Sequence, residues 1–128
     1  MVGLLRQKAF IAALVAVVFA VDQLTKFVVN QNLASGESWP HSGFFRLTRV
    51  ENTGSAFGLF GGQNVVLTIA AGVGAVLILW FLRTAGQRPL VRAALGLLLA
   101  GALGNLADRV VNGYVTDFID VGPWYIFN

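Results

Sequence analysis

The sequence predicts a mainly α-helical integral membrane protein with a small β-containing region, and three observations lead to this class. Hydrophobic residues make up 56% of the 128 residues and charged residues only 12%. The mean hydropathy is +0.72, and the apolar residues form runs close to the roughly 20 residues that a membrane span requires. A soluble domain uses roughly a quarter charged residues to cover its surface, so a soluble fold agrees poorly with this composition.

Three segments are predicted to span the membrane: residues 9–29, 65–82 and 91–111. The first begins after basic residues, as a signal peptide does, but its apolar core is long, lacks a small-residue cleavage pattern and is followed by further spans. The second contains no charge, and the third contains glycines that let helices approach closely. Without internal repeats or linkers, residues 1–128 are expected to form one membrane-embedded domain.

The basic residues predict the orientation of the chain. The amino terminus carries Arg6 and Lys8, the loop between the second and third spans carries Arg83, Arg88 and Arg92, and neither segment holds an acid. Both are therefore expected in the cytoplasm, and residues 30–64 and those after 111 outside it. These scattered charges also explain the isoelectric point near 10, so no nucleic-acid partner is expected.

In the outer loop, residues 44–50 alternate in a way that predicts a short strand or interfacial ribbon. The polar segment that follows, residues 52–58, contains Asn52 and Gly54, which turn chemistry alone would explain. Its backbone amides and the Asn side chain would also suit the binding of a substrate's peptide backbone.

Polar side chains occur where the first and third spans end. Asn105, Asp108 and Arg109 are spaced i, i+3 and i+4, so we expect them to share a helix face and to satisfy one another. Asp22 and Lys26 have the favoured spacing of a helical ion pair. Lys26 would then either extend to the lipid headgroups or join Asp22 in a polar pocket. Ionisable groups in such positions indicate a functional site.

Two further acids, Asp117 and Asp120, follow the third span. Their i, i+3 spacing alone is typical of a solvated acidic loop. Alternatively, two carboxylates that share a proton can activate one water molecule. His41 is the only histidine and is expected at the surface, and the sequence has no metal-binding constellation. Because cysteine is absent, disulfides and thiolate chemistry are excluded.

Several segments form an ordered set of motifs: Asp22-Gln23-Leu24-Thr25-Lys26, Asn52-Thr53-Gly54-Ser55-Ala56-Phe57, Gly104-Asn105-Leu106-Ala107-Asp108-Arg109 and Gly113-Tyr114-Val115-Thr116-Asp117-Phe118-Ile119-Asp120. Together they resemble lipoprotein signal peptidase (signal peptidase II), the membrane aspartic peptidase that removes signal peptides from bacterial prolipoproteins. The resemblance extends from about Ala9 to the last residue. It implies the bacterial cytoplasmic (inner) membrane, an active site on the outer face, and neither metal nor cofactor.

The resemblance also implies roles for individual residues. Asp117 corresponds to the first Asp of the family's Val-x-Asp-Phe-x-Asp motif, which is catalytic. The second catalytic Asp belongs to a Phe-Asn-x-Ala-Asp motif that opens a fourth span, and this sequence reaches only Phe127-Asn128. We therefore expect a truncated form, without that Asp and the C-terminal helix. The remaining site residues would bind or orient substrate and dyad, or form the polar surround: Asn52, Gly54, Asn105, Arg109 and Asn128, and Asp22, Lys26 and Asp108.

By this resemblance the protein is an aspartic endopeptidase that cuts before a diacylglyceryl-modified Cys, with prolipoprotein signal peptides and membrane lipids as partners. One alternative is an inactive relative that binds lipidated peptides or scaffolds a membrane partner. Another is a small transporter, because Asp22, Lys26 and Asp108 could serve a proton path. Against this second alternative, the charges cluster at one membrane face and no inverted repeat is present.

Overall fold

The computed structural model describes residues 1–54 and 63–128, so Ser55, Ala56 and Phe57 of the second motif lie outside the described residues. The elements follow the order α1 (Val2–Asn32), β1 (Ser38–Trp39), β2 (Phe45–Asn52), α2 (Gln63–Thr84), α3 (Pro89–Asn112) and β3 (Val115–Val121). All three helices are long and apolar enough to cross a membrane. The predicted class, a mainly α-helical membrane protein with a small β region, is confirmed.

The helix ends follow local sequence signals. α1 extends beyond the predicted span at both ends because no proline interrupts it, and Arg49 Nη1 donates hydrogen bonds to the carbonyl oxygens of Asn30 (3.3 Å) and Leu33 (3.0 Å) where it ends. α3 starts at Pro89, a residue well suited to the first helical turn. It ends at Asn112 and is capped by Gly113, whose φ of 81° is the left-handed conformation that glycine adopts easily.

α3 lies between the other two helices and packs on both. Ile11 lies against Gly96, and Asp22 lies against Gly104, so α1 and α3 run in the same direction. α2 runs the opposite way, since its end contacts the start of α3 through Leu82 and Arg92. The carboxyl ends of α1 and α3 therefore lie at the same end of the bundle, the end that carries the sheet.

The three strands form one antiparallel sheet in the order β1-β2-β3. The predicted strand at residues 44–50 is present as β2. Its partner β3 occupies residues for which a solvated acidic loop was an open alternative, and that alternative is wrong. β3 is rich in β-branched and aromatic residues, which favour strands, and the pairing aligns Asp117 with Val50 and Asp120 with Arg46.

Candidate active site

Asp117 on β3 is a buried carboxylate held by two side-chain amides. Asn52 Nδ2 donates a hydrogen bond to its Oδ2 at 2.9 Å, and Asn128 Nδ2 donates one to its Oδ1 at 2.8 Å. Asp117 is only 6% exposed. Strand pairing places Asn52 on the neighbouring strand, close enough to reach it. The sheet thus presents one carboxylate in a defined orientation, which general acid or base chemistry requires.

Asn52 also forms a turn. Its Oδ1 accepts a hydrogen bond at 2.8 Å from the backbone N–H of Gly54, whose φ is 77°. The turn predicted from the sequence is therefore present, and the amide of the same Asn side chain contacts Asp117. The structure thus gives Asn52 two contacts, while its role towards a substrate stays a prediction.

Lys26 is the centre of a buried ionic cluster. Its Nζ lies 2.9 Å from Asp22 Oδ2, 2.8 Å from Asp108 Oδ2 and 3.2 Å from Asn105 Oδ1. Only 3% of Lys26 is exposed, so the alternative in which it extends to the headgroups is wrong. The predicted ion pair with Asp22 is present, and it lies inside a polar pocket between α1 and α3.

The expectation that Asn105, Asp108 and Arg109 satisfy one another needs correction. Asn105 and Asp108 meet through Lys26. In the part of the chain that the structure describes, the Arg109 side chain forms no ion pair or hydrogen bond with either residue, and its carbonyl oxygen accepts a hydrogen bond from Asn64. The cation that neutralises Asp108 comes instead from α1, because that helix packs directly on this face of α3.

Three residues outside the predicted site complete the cluster: Gln23, Thr116 and Asn30. Gln23 Nε2 donates to Asp22 Oδ2 (3.0 Å), Asp108 Oδ1 (3.1 Å) and the carbonyl of Gly104 (3.3 Å). The backbone N–H of Thr116 donates to Asp108 Oδ2 at 3.3 Å, and the Thr116 hydroxyl contacts the Asn30 amide at 3.1 Å. For Asn30 a signal was available, because it continues the four-residue spacing of Asp22 and Lys26.

The ionic cluster and Asp117 are joined by a continuous path of hydrogen bonds. Asn105 Oδ1 accepts from both Lys26 Nζ (3.2 Å) and Asn128 Nδ2 (3.2 Å), and Asn128 also donates to Asp117. Asp108 also contacts β3, because its Oδ2 accepts a hydrogen bond from the backbone N–H of Thr116, the residue before Asp117. The cluster therefore supports the position of Asp117 from two sides.

Asp120 is held in a separate group of side chains. It pairs with Arg46 at 2.9 Å and accepts a hydrogen bond from Thr48 at 2.5 Å, and Thr48 in turn contacts Ser38 at 2.7 Å. Asp117 and Asp120 therefore have different partners. The structure does not support a proton shared between these two carboxylates. Asp120 instead connects the three strands of the sheet.

Within residues 1–54 and 63–128 no group of three or more His, Asp or Glu side chains is arranged to hold a metal ion. His41 is exposed, as predicted.

A family model described as signal peptidase (SPase) II matches residues 14–128. The chain belongs to the signal peptidase II family. A lipoprotein signal peptidase of Dehalococcoides mccartyi is 50% identical over 113 residues, which cover 84% of this chain and 70% of the relative. A lipoprotein signal peptidase of Moorella thermoacetica is 44% identical over 117 residues, covering 90% of this chain and 78% of that protein.

A solved structure agrees with this membership in the signal peptidase II family. A bacterial membrane enzyme whose structure was solved by the in meso method at 1.9 Å resolution superposes with a TM-score of 0.82. The two chains are 31% identical, and the match covers 94% of this chain and 81% of the other. The resemblance inferred from the motifs is confirmed, and the protein is a multi-pass membrane protein of a peptidase family.

Proposed function

We propose that this protein is an aspartic endopeptidase that removes signal peptides from diacylglyceryl-modified bacterial prolipoproteins, cutting immediately before the lipidated Cys. The observation that carries the proposal is the geometry of Asp117. In a chain of the signal peptidase II family, this carboxylate is 6% exposed and both its oxygens accept hydrogen bonds from amides. Relatives named lipoprotein signal peptidase support the class of substrate.

In the proposed mechanism, Asp117 works with a second carboxylate, the Asp of the family's Phe-Asn-x-Ala-Asp motif. Phe127 and Asn128 match the first two residues of that motif, and Asn128 contacts Asp117. In a chain that continues through the motif, the second Asp would follow closely. One carboxylate of the pair accepts a proton from the attacking water while the other, protonated, polarises the scissile carbonyl.

The other residues support this reaction. Asn52 and Asn128 orient Asp117, and Asn105 connects Asn128 to the polar surround of Asp22, Lys26 and Asp108. We assign Gly54 and Arg109 to substrate binding, Gly54 through its turn beside Asn52.

The proposed orientation places the amino terminus in the cytoplasm and the sheet with Asp117 on the outer face of the bacterial cytoplasmic (inner) membrane. The distribution of charge supports it. All six acids lie at the sheet end of the bundle, whereas five of the nine Lys and Arg residues lie at the opposite end: Arg6, Lys8, Arg83, Arg88 and Arg92. An end with only basic residues is typical of the cytoplasmic side.

The test is a cleavage assay with the full-length protein purified from its native cell. A synthetic prolipoprotein peptide with a diacylglyceryl-modified Cys is compared with the same peptide carrying an unmodified Cys, and the products are identified by mass. We expect cleavage immediately before the lipidated Cys and little cleavage of the unmodified peptide. Equal cleavage of both peptides would contradict the proposed substrate class.

The intact mass of the same preparation tests the dyad. The mechanism requires a mass above the 13.7 kDa of these 128 residues, with sequence that continues through the second catalytic Asp. A protein of 13.7 kDa that binds the lipidated peptide without cutting it would favour the inactive, peptide-binding alternative instead.

Replacing Asn52 tests its contact with Asp117. In Asn52→Asp the acceptor for the Gly54 N–H is kept, but the amide donor to Asp117 is replaced by a carboxylate, and two carboxylates at this distance cannot both ionise. Because a hydrogen bond to a charged group contributes about 1.5–3 kcal/mol, we expect kcat to fall about 10- to 100-fold. The control is Asn32→Ala, which removes an exposed Asn side chain at the end of α1. Unchanged kcat in Asn52→Asp would limit this residue to the turn.

A further inference from the structure

A long apolar groove runs along the bundle between α1 and α2, with α3 as its floor. Its volume is about 790 Å³. α1 contributes one stripe of residues spaced by three and four positions, which is one helix face: Lys8, Ile11, Ala12, Val15, Ala16 and Phe19. Because these walls belong to the membrane-spanning helices, the groove is expected to face the hydrocarbon of the bilayer.

The groove lies on the side of α3 that faces away from Asn128. Leu103 and Ala107 line the groove. Asn105, which contacts Asn128, is two residues from each of them and therefore lies on a nearly opposite face of α3, about 160° away around the helix axis. The residues that would follow Asn128 in the proposed catalytic motif therefore begin on the opposite side of α3. The groove is thus separate from the candidate active site.

Two cations line the end of the groove that lies away from the sheet, Lys8 and Arg92. Arg92 is only 8% exposed, and its Nη1 donates to the carbonyl oxygens of Leu82 (2.9 Å) and Gly86 (3.4 Å). Its Nε has no hydrogen-bond partner among the described residues. All six acids are among the described residues and lie at the sheet end, and within this part of the chain none of them pairs with Lys8 or Arg92.

We propose that this groove binds one anionic glycerophospholipid, with its phosphate at Lys8 and Arg92 and an acyl chain along the apolar walls. Arg and Lys are strong partners for phosphate, and basic residues at a membrane surface attract anionic lipids. A signal peptide fits this groove poorly, because its amino-terminal region is itself positively charged. The site goes beyond the proposed peptidase activity and does not depend on it.

Native mass spectrometry of the full-length protein in detergent tests this site directly. Phosphatidylglycerol and phosphatidylcholine with identical acyl chains are each titrated at physiological salt, and one-to-one adducts are counted. We expect one phosphatidylglycerol to bind at least about fivefold more tightly than phosphatidylcholine. This is the difference in affinity expected when a single Lys or Arg attracts the anionic headgroup. Equal affinity for the two lipids would overturn the proposal.

Two pairs of variants separate a specific site from a general attraction of charge. Lys8→Gln should weaken phosphatidylglycerol binding about fivefold, whereas Arg6→Gln, the same charge change outside the groove, should not. Ala16→Phe fills the groove and should abolish the adduct, whereas Ala13→Phe on another face of α1 should leave it intact. Equal losses within either pair would overturn the site. A third result would also overturn the site: no lipid adduct is detected, and Ala16→Phe lowers Tm while Ala13→Phe does not. A protein segment would then fill the groove instead of a lipid.

Discussion

We expect Asp117→Asn to lower cleavage of the lipidated peptide by about 10²- to 10⁴-fold, the range that one general acid or base contributes. The substitution preserves the shape of the side chain but removes the group that exchanges a proton with water. Among the side chains of the described residues, only the amides of Asn52 and Asn128 form hydrogen bonds with Asp117, so no carboxylate in this set is placed to replace it. The measurement is kcat/KM in the full-length protein, with Tm recorded to establish that the variant folds.

The matched control is Glu51→Gln on the neighbouring strand. Glu51 is a partly exposed carboxylate paired with Arg49 at 2.9 Å, and exposed pairs of this kind contribute roughly 0–1 kcal/mol. We expect wild-type activity within about threefold, the spread of about half a kcal/mol typical of surface substitutions. Cleavage retained in a folded Asp117→Asn variant would rule out this residue as a catalytic carboxylate.

We expect Lys26→Met to lower the free energy of unfolding by about 3–5 kcal/mol, the usual cost of removing one partner from a buried ion pair. Met replaces most of the side-chain volume but leaves Asp22 and Asp108 facing each other without a cation. Both carboxylates contact Lys26 Nζ within 3 Å, and Lys26 is 3% exposed. Unfolding in lipid-free detergent, followed by circular dichroism, measures the change.

Lys8→Met is the control for this prediction, because Lys8 lies on the same helix but is exposed and forms no ion pair within the described part of the chain. Its effect on stability should stay within about 0.5 kcal/mol. A double variant, Lys26→Met with Asp108→Asn, should recover part of the lost stability, since one of the two uncompensated charges is gone. If Lys26→Met and Lys8→Met were equally stable, the cluster would not contribute to the fold.

Local sequence patterns predicted the membrane class, the three spans and the strand at residues 44–50. The same patterns predicted the Asp22–Lys26 pair, because a four-residue spacing on a helix brings two side chains together whatever the rest of the chain does. The turn formed by Asn52 and Gly54 is local for the same reason. The match of several ordered motifs also predicted the signal peptidase II family, and the family model that matches residues 14–128 confirms it.

Sequence spacing did not predict the contacts between side chains that lie on different helices or strands. Asp108 and Arg109 are neighbours in sequence, yet the cation beside Asp108 is Lys26 from α1. Asp117 and Asp120 are three residues apart, yet on a strand they bind different partners, Asn52 in one case and Arg46 in the other. The spacing of the two acids could not predict these partners, because they depend on strand pairing and on the bulge between Leu47 and Val50.

The sequence by itself determined which segments are apolar enough to span the membrane and which side chains could pair within one helix, because those properties depend on composition and on neighbours a few residues away. Only the tertiary structure decided that Lys26 is buried between two acids and that Asp117 is held by Asn52, 65 residues away in the chain. Packing of α1 on α3 and pairing of β2 with β3 bring these groups together. Burial then makes each of them require a partner, since an unpaired charge or polar group is costly once water is removed.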